Sequence, residues 1–186
     1  MHRMNVISLG LLLLLVCHQA QGQSESDRIS DNIKGLIERT EAGWTCERGQ
    51  PLGNQTAVLV GCHTSSPDRR VASLIKHPRS VAIHIDCLDS VEDSRRIMQS
   101  LARKHASEYQ QLDGLGDEAY GWGMDKADIV MRKGRFILWI HTNASVEDDP
   151  DGRALNLEAR SARRRLERLR LAPEFARHLL VAMNSF

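Results

Sequence analysis

The sequence predicts an α+β domain: an open, mainly antiparallel sheet of about five or six strands with helices packed on one face. Three observations predict it. Runs of helical spacing stand at both ends, "SDRISDNIKGLIERTEAG" at the start and, at the end, a stripe from Leu155 to Leu169 followed by "PEFARHLLVAM". β-rich runs bounded by turn residues fill the middle, among them "TAVLVGCHT", "SVAIHIDCL" and "DIVMRKGRFILWIH". One further amphipathic segment interrupts them after Ser90.

The chain opens on "MHRMNVISLGLLLLLVCHQAQGQS". Arg3 supplies a positive start, Val6 to Val16 is almost wholly apolar, and Ala20 and Gly22 are small residues at the positions a signal peptidase checks. Residues 1–22 are expected to be a signal peptide and 23–186 a single domain, periplasmic or secreted. The apolar run is shorter than the roughly 20 residues of a membrane span. Cys17 offers an alternative site for lipid attachment, but Val16 stands where such a site takes a small residue. Cutting after Gly22 leaves 164 of the 186 residues, enough for one core, with 24 basic and 24 acidic side chains. That balance gives no reason to invoke nucleic acid. No later apolar stretch approaches spanning length, so the mature chain is expected to be soluble.

Ile29, Ile33, Leu36 and Ile37 share one side of the first helix, which Gly43 ends. "WTCERG" and "TAVLVGCHT" read as two strands. A hairpin centred on Asn54 sets Cys46 opposite Cys62 and puts Trp44, Cys46, Val58, Val60 and Cys62 on one face. Val81, Ile83, Ile85 and Cys87 share a face of the next strand. Three cysteines in an oxidising compartment make one bridge and one leftover thiol, or an intermolecular bond. Cys46–Cys62 is the expected pair, with Cys62–Cys87 the open rival. "SSPDRR" and "KHPR" are loops flanking a short helical turn at "VASLI". Ser90 caps the central helix with Asp93 as its capping-box partner, and Ile97, Leu101, His105, Tyr109 and Leu112 keep to one side.

Gly114 and Gly116 end that helix, and a strand starts near Glu118. Lys133-Gly134 has the composition of a two-residue hairpin turn. Folding there sets Met131 opposite Phe136 and Ile129 opposite Leu138, with Val130, Ile137 and Trp139 on the other face. Both faces are apolar, so these are inner strands or a partner covers one face. Leu155, Ala159, Ala162, Leu166 and Leu169 form a helical stripe; Pro173 interrupts it and starts a second helix.

"GLGDEAY", a hydrophobic strand, "RKG", a second hydrophobic strand and a closing helix resemble a pattern in small exported bacterial domains. These include mycobacterial lipoproteins and the extracellular sensor domain of a mycobacterial Ser/Thr kinase. The resemblance covers Leu112 to about Ile140 and elsewhere follows only the element order. It implies a fold, and a non-enzymatic envelope or ligand-sensing module that is often disulfide-bonded.

The candidate chemistry is thin. Glu147, Asp149, Asp151, Gly152 and Glu158 occupy positions of a calcium-loop template, with Glu where Asp is usual and Pro150 inside. The plainer reading is an acidic loop beside a helix N-terminus. His63, His84, Asp86 and His141 are ligand types that suit zinc, yet no two histidines have a recognised spacing. Cys87 beside a histidine is a nucleophile pattern, but apolar neighbours quiet a thiol. Asp117 and Glu118 point to opposite sides of a strand and make no acid–base pair. Arg160, Arg163, Arg164, Arg165, Arg168 and Arg170 form either an anion-binding surface or a solvated helix face. Asn54 and Asn143 begin glycosylation tripeptides. The expectation is an exported, non-enzymatic domain that binds a small ligand or a protein, with no cofactor, no metal and no catalytic residue assigned. A homodimer through an apolar sheet face or the leftover thiol is open. The alternative is a secreted metal-dependent enzyme.

Overall fold

The computed structural model of the chain describes residues 25, 27–49, 57–64, 79–123, 125–144 and 156–184. The described elements are helix α1 (residues 27–40), β1 (Trp44–Gly49), β2 (Ala57–Thr64), β3 (Arg79–Cys87), α2 (Val91–Lys104), β4 (Gln110–Gln111), β5 (Glu118–Trp122), β6 (Asp128–Lys133), β7 (Phe136–Ala144) and α3 (Leu157–Met183). The strands form one sheet in the order β1-β2-β3-β7-β6-β5-β4, every neighbouring pair antiparallel. Two meanders, β1–β3 and β4–β7, are thus joined by α2, and β7 closes back on β3. The α+β class is as expected. The strand count is seven, because Gln110 and Gln111 form a short edge strand where a longer helix was expected. That helix ends at His105, whose carbonyl accepts from the amides of both Glu108 and Tyr109 in a turn.

The helices do not share one face, as expected, but cover both. Ile29, Ile33 and Ile37 of α1 and Leu171, Phe175 and Leu179 of α3 pack on Val81, Ile83, Ile85, Met131, Leu138 and Ile140. On the opposite side Met98 of α2 meets Val130 and Ile137. β6 and β7 are apolar on both faces because each face has a helix to meet. α2 therefore covers the apolar sheet face considered for dimerisation. Ser90 caps α2: its hydroxyl accepts from the amide of Asp93 at 3.1 Å and donates to that carboxylate at 2.7 Å. The buried positions are Ser94 and Met98; Ile97, expected on the inner side, is 38% exposed.

Cys46 faces Cys62 in the β1–β2 register, and the two are disulfide-bonded with Cα atoms 4.1 Å apart. So close a separation marks a non-hydrogen-bonded pair, whose edge-strand amide and carbonyl point away from the sheet. α1 satisfies both. Glu38 accepts from the Cys46 amide at 2.9 Å, and Lys34 donates to its carbonyl at 2.8 Å. The open edge is thereby closed to other strands. Cys87 packs partly against the main core and lies outside the bridge.

The β6–β7 turn comes one residue later than expected. Lys133 pairs with Phe136 and Met131 with Leu138, so the turn is Gly134-Arg135. Gly134 has φ 57 and so takes the first central position, leaving an ordinary φ to Arg135. Each partner shifts by two residues, so every side chain keeps its expected face.

α3 corrects two expectations. It runs unbroken through Pro173, and its buried residues are Leu171, Ala172, Phe175, Ala176, Leu179, Ala182 and Met183. The expected stripe turns away from the sheet: Leu166 is 67% exposed and Leu169 38%. The C-terminal half sets the phase, where Phe175 lies against Trp44 with ring centres 4.8 Å apart.

Candidate binding site

The four candidate zinc ligands are spread over the sheet face that carries α2. His84 Nε2 is 3.0 Å from Asp86 Oδ1, yet the alignment makes no hydrogen bond and that nitrogen has no hydrogen-bond partner. A hydrogen bond depends steeply on angle, so the short separation alone does not make one. Asp86 instead accepts from the Trp139 indole at 3.0 Å. His63 lies 3.9 Å from Glu47, and His141 lies 4.0 Å from Asp128. Among the described residues, no three histidines, cysteines or acids converge as metal ligands. Glu147, Asp149, Asp151 and Gly152 lie outside the described residues, as do Cys17, Asn54 and Leu155; Glu158 is in the first turn of α3. Asn143 is exposed on β7, though its tripeptide ends outside the described residues.

Asp117 and Arg132 have a structural job. Asp117 accepts from the Gly134 amide at 2.8 Å and from Arg132 Nη1 at 2.9 Å, while its own amide donates to the Arg132 carbonyl at 2.8 Å. The "GLGDEAY" and "RKG" segments are thus two halves of one clasp. Gly116 makes the close approach possible. It has φ 67, and a Cβ there would lie 2.4 Å from the Arg132 carbonyl oxygen. Glu118, expected on the opposite side, approaches the same guanidinium, 3.8 Å from Arg132 Nε, and accepts from Tyr120 at 2.8 Å. Burial, and then that hydrogen bond, push the Tyr120 phenol up to about 12, so it stays protonated and is no base.

Among the described residues, a concavity lies where the middle of α3 crosses the end of the sheet. Leu112, Ile129 and Ala172 form its apolar floor, and Leu169 and Pro173 one wall. Gln110, Asp125, Lys126 and Arg165 stand at its polar rim, and the volume is about 270 Å³. Its local backbone is irregular on two sides. Pro173 has no amide to give the carbonyl of Leu169, one turn earlier. Lys126 has φ 56, the one positive φ at a non-glycine among the described residues. The amide of Lys126 donates to the Gly123 carbonyl, and its ammonium donates to the Glu108 carbonyl. Gly121 leaves room for this turn: a Cβ there would be 3.0 Å from the Lys126 carbonyl. Strained backbone of this kind concentrates at functional sites.

Arg168 fixes the walls to each other. It donates to Asp125 at 2.9 Å and to the Thr142 carbonyl at 2.9 Å, and reaches Asp128 at 3.3 Å. Asp128 also accepts from the Thr142 amide at 2.9 Å. With Asp125 and Asp128 held this way, Lys126 and Arg165 leave the rim positive. An apolar floor and a cationic rim suit a ligand with an apolar body and an anionic or acceptor group. Sequence reasoning missed this site. Its signals were Pro173 inside a helical run and the "GMDKA" turn, and neither states what it adjoins. The chain matches no known protein family, no curated protein and no solved structure.

Proposed function

We propose that the chain is an exported, non-enzymatic domain of the cell envelope that binds a small ligand in the cleft beneath α3. The observation that carries this is the cleft itself, where Pro173 and the strained Lys126 meet over an apolar floor. The Cys46–Cys62 bridge supports an oxidising compartment. The signal-like start and the likeness of "GLGDEAY…RKG" to exported bacterial sensor domains support the same placement. The acids Asp117, Asp125 and Asp128 serve hydrogen bonds that hold the fold, which favours binding over catalysis. Arg168 supports the cleft from behind and is a positioning residue.

Native mass spectrometry of protein isolated from its own envelope tests the reading. The expected result is a chain beginning at Gln23 that carries an adduct of fixed mass, lost in Leu169→Trp and kept in Val91→Ser. A chain retaining Met1 overturns the export, and a bare chain, or an adduct indifferent to Leu169→Trp, overturns the cleft.

A further inference from the structure

The sheet face that carries α2 holds a second hollow, built differently from the cleft. α2 meets that face on β6 and β7, at Val130 and Ile137. Beyond them the face is open: Ala82 is exposed, although it stands on the third of seven strands. The register lays Glu47, Gly61, Ala82 and His141 in one row across β1, β2, β3 and β7. A Cβ on Gly61 would meet open space, and Ala82 offers only a methyl group. The row is therefore a trough about 14 Å long, three strand spacings. The next row is tall, with Leu59, His84 and Trp139 side by side along it. Trp139 is fixed there. Its indole donates to Asp86 at 3.0 Å, and it meets Trp122 edge to face with ring centres 5.9 Å apart and planes at 81°. His141 closes one end of the trough and also stands edge to face with Trp122.

We infer that this trough binds a neutral oligosaccharide. Sugar rings lie over Gly61 and Ala82 with their C–H groups against Trp139. Their hydroxyls donate to the carboxylates of Glu47 and Asp86 and exchange hydrogen bonds with the His141 imidazole. Three observations select that occupant. The outward positions of β1, β2, β3 and β7 carry no Lys or Arg, in a chain that has 25 of them. An anionic partner would face Glu47 and Asp86 with no permanent cation to offset them. Trp122 and Trp139 meet edge to face, so they do not form the facing aromatic walls that hold a compact cation. A two-fold dimer would set trough against trough and leave the space unfilled. The trough and the cleft lie on opposite faces of the sheet, so either proposal stands if the other fails.

The chain is titrated in a calorimeter with four tetrasaccharides. Those of glucose and of N-acetylglucosamine are neutral, that of glucosamine is cationic and that of galacturonic acid is anionic. Binding is expected for a neutral tetrasaccharide and to be weaker for both charged ones. Gly61→Gln and Ala82→Gln, which fill the trough from within strands, abolish it. Trp139→Ala lowers the binding constant about tenfold. Leu169→Trp, which alters the cleft, leaves it unchanged. Circular dichroism confirms that each variant is folded. No binding of either neutral tetrasaccharide, tighter binding of a charged one, or wild-type binding by folded Gly61→Gln each overturns the inference. So does a dimer on gel filtration that Gly61→Gln dissociates.

Discussion

Asp117→Ala tests whether the glycine-rich centre of the chain is a clasp or a chemical site. The carboxylate makes two hydrogen bonds, one to the Gly134 amide at 2.8 Å and one to Arg132 at 2.9 Å. The Arg132 side chain is 9% exposed and Asp117's is 38%. Hydrogen bonds to charged groups contribute roughly 1.5–3 kcal/mol each. The two together set an upper bound of about 6 kcal/mol, which solvent reaching Asp117 reduces. Arg132 then keeps Glu118, 3.8 Å away, and a long hydrogen bond to the Gly134 carbonyl at 3.4 Å, and its buried Nε already has no hydrogen-bond partner. We expect Asp117→Ala to cost about 2–4 kcal/mol, and Asp117→Asn, which keeps an acceptor for Gly134, about half that. The assay is urea unfolding, read as a lower midpoint with an unchanged slope. Arg132→Met on the Asp117→Ala background should cost less than on the wild type, since the partner has already gone. A loss below about 0.5 kcal/mol, the level of ordinary surface substitutions, would refute the clasp.

Gly116→Ala and Gly114→Ala make a matched pair, since both glycines have positive φ, 67 and 75. Gly114 has open space around its missing Cβ and should cost about 1–2 kcal/mol from backbone strain alone. Gly116 adds a clash with the Arg132 carbonyl and should cost more than about 3 kcal/mol in the same unfolding assay. Tyr120 predicts alkaline destabilisation: its folded pKa, about 12, lies above the unfolded value near 10. Its contribution is whole below about pH 10 and is lost as pH rises through the folded value, because only the unfolded chain ionises in between. Tyr120→Phe should flatten the fall in stability across that window, and phenolate absorbance should show both tyrosines titrating above the ordinary value, since burial and then Glu108 raise Tyr109 too, with the Tyr120 step lost in the variant.

How much was legible can be judged residue by residue. The Cys46–Cys62 register followed from a hairpin centred on Asn54, because strand alternation is a local rule and both strands obey it. The Ser90 cap followed for the same reason. The Lys133-Gly134 turn was missed by one residue, since one glycine can take either central position and the dipeptide does not say which. The side on which α2 packs was not legible. A strand pair apolar on both faces shows that two covers exist without naming them. The Leu166–Leu169 stripe was read as inward because periodicity gives the phase of a stripe and never its direction. The cleft was invisible because it joins Leu112, Lys126 and Leu169, which no spacing rule relates.

α3 is one helix held in two physical regimes. Beyond Pro173 it is held by burial: Phe175, Leu179 and Ala176 are completely enclosed. Before Leu171 no side chain is buried, and the attachments are polar: Arg168 to Asp125, Asp128 and the Thr142 carbonyl, and Glu167 to Arg79 at 3.0 Å. Burial is nearly indifferent to moderate salt, whereas exposed pairs are screened over about 8–10 Å. Pro173, lacking one backbone bond at the boundary, uncouples the halves further. Amide hydrogen exchange should therefore find residues 157–168 opening well before residues 174–183, with the gap widening as salt rises. Arg168→Met should widen it more, and without unfolding the domain, since the core behind Leu171 does not depend on that guanidinium. Uniform exchange along the helix, unmoved by salt, would mean that something other than these charges secures its first half. An element loosely held at one end and buried at the other can shift its free end, and Leu169, which lines the concavity, stands where the two regimes meet.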